Sequence, residues 1–258
     1  MAFRRGRRER EAVAQPFPDA WRARLAVRWA TWSALDATER ATVEDLTKRF
    51  LARVRFEPSQ GFAVTDEMRV LVAAQASYLV MGMDDPTLDL YSRLTSVILH
   101  PRTVVVRGTH SVGRHLETDS PQALAGQAHH RGPVVLAWST VAYEARHPER
   151  GQNVVLHEFA HQLDMFDGMI DGTPPIADRE LRERWVRVCT AEYRRVRRGD
   201  ESVLRGYAAT DTGEFFAVAT ETFFSVPERL EEASPELYDV LREVFGQDPA
   251  ARARRRTD

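Results

Sequence analysis

Apolar positions from Trp21 to Met83 recur at helical spacing. Asp36-Ala-Thr-Glu39 has the form of a capping box, and Val43, Leu46, Phe50 and Val54 follow it at intervals of three and four residues. Pro58 and Gly61 end that helix, and Val70, Leu71, Ala74, Tyr78 and Met81 mark the next. Together they predict an N-terminal helical layer. After Asp84-Asp85-Pro86 the pattern changes to short β-branched runs. Ser96-Val-Ile-Leu-His100, Thr103-Val-Val-Val106 and, behind Gly132-Pro133, Val134-Val-Leu-Ala-Trp138 read as strands.

Helical spacing then returns. Asn153 is a good N-cap, and no Pro or Gly interrupts the stretch through Asp164, so a helix is entered at about Val154. Val154, Val155, Leu156, Phe159, Ala160 and Leu163 make most of its faces apolar, which predicts burial. A turn-rich loop from Asp167 to Pro175 follows, its acidic residues lacking the alternation of a calcium loop. Asp178 caps a further helix to about Arg198 with Leu181, Trp185, Val188 and Val196 on one face, and a last apolar helix runs from about Thr212 to Ser225, stopped by Pro227. The fold class is α+β, with a small mixed sheet beside the helix at 153–164.

Composition narrows the functional classes. A chain of 258 residues with 43% hydrophobic content can bury a sizeable core, and a net charge of −2 gives no global field for nucleic acid. Residues 1–16 form an Arg-rich arm and residues 251–258 an Arg-rich tail, both read as solvated and disordered, which leaves 17–250 as a single domain. Direct binding to DNA through these ends is a weak option, since neither has a recognisable fold. Cys189 is the single cysteine, so no intrachain disulfide framework exists. Neither a membrane-spanning apolar run nor a signal-peptide core is present, so the expected location is the cytoplasm.

The chemistry is concentrated in His157-Glu-Phe-Ala-His161. Residues four apart on a helix stand one above the other, so both imidazoles can reach one ion, and Glu158 is placed to take a proton from water bound there. Two solvent-facing histidines would be the bland alternative, but the apolar flanks argue against it. A catalytic zinc needs a third protein ligand, and no histidine follows His161, so a downstream ligand must be a carboxylate. Glu214 and Glu221 lie seven apart on nearly one face of the last apolar helix, and chemistry alone does not choose between them. His100, His110 and His115 are too irregularly spaced for a metal role, while His129 and His130 can be read as cleft rim or loop. The strand at Val134–Trp138 can be a sheet edge that receives an extended peptide or a plain core strand.

His157-Glu-Phe-Ala-His161-Gln-Leu-Asp164, taken with Tyr207-Ala-Ala-Thr-Asp211, Glu214-Phe-Phe-Ala-Val218 and Glu221-Thr-Phe-Phe224, resembles the Mlc titration factor A family of zinc metallopeptidases. The catalytic region of that family is similar to that of anthrax lethal factor. Gly132–Trp138 and Gln60-Gly61-Phe62 match as well, so the likeness runs over about residues 20 to 250. It implies a zincin-like domain with one zinc ion per chain, held by His157, His161 and Glu214, with Glu158 as general base. Tyr207 would face the oxyanion or the leaving amine, and Asp164 and Glu221 would orient imidazole N–H groups. Where the family often has Pro-Ala before the ligand glutamate, this chain has Thr212-Gly213. The implied function is zinc-dependent hydrolysis of a peptide or protein substrate, aminopeptidase-like on small substrates. The alternative is a regulator that sequesters a DNA-binding repressor of sugar transport.

Overall fold

Residues 9–14 form α1, and Asp19–Arg28 form α2. In α3 (Ala37–Arg53) the capping box closes as its spacing predicts. Asp36 Oδ1 accepts from the Glu39 N–H, and Glu39 Oε2 accepts from the Asp36 N–H, both at 2.9 Å. A computed structural model describes residues 9–59, 61–83, 89–94, 96–102 and 133–257. The expected strand at 103–106, His110, His115, His129 and His130 lie outside those residues.

α3 is followed by β1 (Arg55–Pro58), inside the stretch read as wholly helical. Four residues with one apolar side chain carry too little period to be recognised locally. α4 (Asp66–Val80) is capped by Thr65 and buried on every face from Val70 to Val80, which makes it the central helix. β2 (Ser96–His100) pairs with β1, and β3 (Val134–Ala137) pairs with β2. Both pairings are parallel, with Phe56 opposite Val97 and Val97 opposite Val134. Among the described residues the sheet is therefore parallel. Its β1–β2 connection contains α4, the kind of crossover parallel neighbours require. Trp138, expected to end the third strand, instead opens α5 (Trp138–Glu144).

The predicted later helices form α6 (Val154–Asp164), α7 (Arg179–Arg197) and α8 (Thr212–Ser225). α6 lies against α4, α8 and β3. Its Phe159 ring contacts Phe50 and Tyr91 at centroid distances of 5.6 and 5.0 Å, tying the helix to the N-terminal layer. α9 (Pro227–Ala233) and α10 (Pro235–Phe245) complete an aromatic core in which Phe223 and Phe224 meet Phe245. After α10 the backbone passes so close to α4's end that a Cβ on Gly246 would lie 1.9 Å from the Gly82 oxygen. With φ of 58° at Gly246 as well, that position requires glycine.

Both basic ends differ from expectation over the residues described. Lys48 Nζ donates to the Val13 and Gln15 carbonyls at 2.9 Å, holding the second half of the arm. The tail is helical, as α11 (Pro249–Thr257). Arg252, only 4% exposed, donates to Glu39 at 2.6 and 3.0 Å and to the Tyr78 hydroxyl at 2.9 Å. An Arg-rich run looks solvated when its acceptors, here Glu39 and Tyr78, lie 213 and 174 residues away in sequence.

Arg252→Met should therefore lower unfolding free energy by about 2–3 kcal/mol in urea denaturation, less than for a fully buried pair because Glu39 keeps some solvent. Arg255→Met, an exposed neighbour, should stay within about 0.5 kcal/mol of the native chain. Equal stability of all three would return the tail to a passive role.

Candidate metal centre

Asn153 fixes where α6 begins. Its Oδ1 accepts from the Val155 and Leu156 N–H groups at 3.1 Å, and its Nδ2 donates to Gln75 Oε1 of α4 at 2.7 Å. The remaining donors of this buried helix end are taken by carboxylates from two other helices. The Asn153 N–H donates to Glu221 Oε2 of α8 at 2.8 Å, and the Val154 N–H to Glu144 Oε2 of α5 at 2.6 Å. A buried donor left unpaired costs about 1–3 kcal/mol, so this network locks the position and rotation of α6. Burial raises the Glu144 pKa to about 7 against the bond from Val154. Neither Glu144 nor Gln75 was legible as a site residue; a lone carboxylate in a short apolar segment was the only signal.

With α6 so placed, His157 and His161 face the first turn of α8. That helix starts at Asp211, whose Oδ1 accepts from the Glu214 N–H at 2.9 Å. The two Nε2 atoms are 3.2 Å apart, and Glu214 Oε2 lies 3.1 Å from His157 Nε2 and 3.6 Å from His161 Nε2. Three donors at roughly 2.0–2.2 Å from a tetrahedral ion stand about 3.3–3.6 Å from one another, close to this triangle. Glu214 Oε2 is moreover buried without a hydrogen-bond partner. Donor chemistry, spacing and the orphaned oxygen all fit a bound cation.

The other carboxylate on the same face of α8 does something different. Glu221, fully buried, accepts from His157 Nδ1 at 2.7 Å, turning Nε2 toward Glu214. Burial disfavours a charged His157, but Glu221 and Glu214 outweigh it and raise its pKa to about 10. Glu214 is opposed by burial in the same way, yet its contacts with His157 and His161 hold it far below the usual carboxylate range. Glu158 is half-buried beside the two imidazoles. Burial raises its pKa, while His157 and His161 pull the other way.

Tyr207 sits in a short 3-10 turn, Gly206–Ala209, just before α8, and its hydroxyl donates to Glu214 Oε1 at 3.0 Å. Burial and then Glu214 push its pKa up. Asp164 departs from the role expected of it. Its Oδ1 accepts from the Asp171, Gly172 and Thr173 N–H groups at 3.2, 2.8 and 3.0 Å, and among the described residues it makes no hydrogen bond to an imidazole. It fastens the loop after α6, because three aligned backbone donors lie within reach of the one oxygen.

Two histidines one turn apart, an adjacent glutamate and a carboxylate from a crossing helix form the kind of centre that metallopeptidases build. The chain belongs to the glucose-regulated metallo-peptidase M90 family, whose profile matches residues 3–246. A Synechocystis protein named "Uncharacterized protein slr2042" is 34% identical over 247 residues, covering 94% of this chain and 89% of the relative. Proteins named Mlc titration factor A from Serratia proteamaculans and Cronobacter sakazakii are each 31% identical. They cover 91% and 95% of this chain and 89% and 91% of their own lengths. No helix among the described residues is long and apolar enough to cross a membrane.

Because metal-free His157 holds a proton up to about pH 10, metal uptake must displace it. Apparent metal affinity should therefore rise with pH, by up to about tenfold per unit between about pH 6 and pH 9, with proton release visible in a weakly buffered titration. Affinity independent of pH would contradict a ligand role for His157.

Proposed function

We propose that this chain is a zinc-dependent peptidase that hydrolyses peptide bonds in a peptide or protein substrate, with aminopeptidase-like action on small substrates. The observation that carries this reading is the triangle of His157 Nε2, His161 Nε2 and Glu214 Oε2 with Glu158 beside it. Two nitrogens and one carboxylate oxygen, with a fourth position left for water, suit zinc best among common metals. When bound, such an ion supplies Lewis acidity for water and for a substrate carbonyl.

The protein's own groups do the rest. Glu158 accepts the proton of the attacking water and passes it to the departing nitrogen, a role helped by a pKa already raised by burial. The Tyr207 hydroxyl swings from Glu214 to donate toward the carbonyl oxygen as negative charge develops there. Glu221 keeps the His157 ring in register, as an orienting carboxylate should. An extended substrate can lie along β3, whose outer edge pairs with no other strand among the described residues. The single, buried Cys189 fits work in the cytoplasm.

Glu158→Gln should retain zinc yet lose about 10²–10⁴-fold in kcat on chromogenic peptide substrates, and chelation should abolish activity reversibly. Full activity in zinc-loaded Glu158→Gln would exclude the proposed base.

A second reading draws on the name of the Serratia and Cronobacter relatives. In it, the chain sequesters a DNA-binding repressor of sugar transport, and hydrolysis is secondary. A pull-down with such a repressor separates the two: capture by His157→Ala at the native level favours a binding role independent of metal, and loss of capture ties the partner to the centre.

A further inference from the structure

Arg205 stands two residues before Tyr207, at the N-cap of the 3-10 turn, and its guanidinium touches two parts of the centre at once. Its Nη2 donates to Glu221 Oε1, the same oxygen that receives His157 Nδ1, and its Cζ lies 5.4 Å from the centroid of the Tyr207 ring. The side chain is 23% exposed, whereas the Glu221 side chain is 0% exposed. Glu221 is thus a fully buried carboxylate, and Glu144, the other carboxylate of the α6 cap, lies nearby.

Coordination chemistry makes the guanidinium more than one of several contacts. With Nε2 of His157 as the ligand atom, the ring's one N–H is at Nδ1 and the imidazole is neutral. The buried Glu221 carboxylate then faces an uncharged ring, a backbone amide and Arg205. A buried carboxylate without a counter-charge is costly, and a planar guanidinium held over an aromatic ring can supply both charge and direction.

We propose, building on the metal-centre reading above, that Arg205 is a positioning residue of the metal centre. It supplies the counter-charge to Glu221 and fixes its carboxylate, and through Glu221 holds the His157 ring with Nε2 aimed at the metal position. The Tyr207 ring in turn holds the guanidinium, so the turn that delivers Tyr207 also braces the ligand opposite it.

The test measures zinc affinity of the full chain by competition with a chromogenic chelator, with far-UV circular dichroism of the metal-free protein as the fold control. Arg205→Met should weaken zinc binding about 10–100-fold, the range for residues that support a ligand from behind. Arg205→Lys, which keeps the charge, should recover at least half of that loss on a logarithmic scale. In a Glu221→Gln background, Arg205→Met should change affinity by no more than about twofold, because the partner through which it acts is gone. If Arg205→Met does not fold, Arg205→Gln is read in its place with the same expectation. Native zinc affinity in the folded variant, no recovery with lysine, or fully additive losses with Glu221→Gln would each overturn the role of Arg205. A native chain that takes up no zinc would overturn the metal-centre reading itself, an outcome distinct from native binding that is merely insensitive to Arg205.

Discussion

One buried carboxylate ties the ligand-bearing helix to its partner. Glu221 accepts the His157 Nδ1–H through one oxygen and the Asn153 N–H through the other, so it fixes both the orientation of the first imidazole and the start of α6. Glu214 lies seven residues earlier on the same face of α8, about 10 Å along the helix axis. A single helix therefore provides a candidate ligand at one end and the brace for another ligand two turns later. Moving α8 relative to α6 would disturb both together, which is why the aromatic packing of Phe223 and Phe224 on α10 bears on the centre although none of these rings touches it.

The charge balance of this region points the same way. Glu144, Glu158, Glu214 and Glu221 gather around one buried helix and its N-terminus. Two of the four meet backbone donors there, where the helix dipole favours negative charge. The others, Glu158 and Glu214, face the imidazoles of His157 and His161. In metal-free protein Glu221 and Glu214 favour the charged form of His157 against its burial, and a bound metal would take over that counter-charge beside Glu214 Oε2. Metal binding and folding are in this sense coupled, since an ion that binds only the folded state adds to its stability.

What could be read from the chain follows from how local each signal is. The cap at Asn153, the extent of α6, the capping box at Asp36 and the cap at Asp178 all depend on residues within four positions, and each is found where its spacing places it. The seven-residue spacing of Glu214 and Glu221 put both on one face but left their roles open. The family resemblance gives them different roles, and the crossing of α8 over α6 accordingly sends Glu214 to Nε2 and Glu221 to Nδ1 of His157. The parallel sense of the sheet depends on a strand of four residues, and the order of the tail on an Arg252–Glu39 contact across nearly the whole sequence. Asp164 shows the remaining difficulty: backbone donors seven to nine residues further on decide what it bonds, and motif resemblance does not contain that geometry.

The most direct measurement is anomalous diffraction at the zinc edge from crystals of the zinc-loaded chain. One ion should appear within about 2.0–2.2 Å of His157 Nε2, His161 Nε2 and a Glu214 oxygen, with Glu221 still on His157 Nδ1 and a fourth position open. Zinc bound elsewhere, or held by Glu221 in place of Glu214, would contradict the proposed centre.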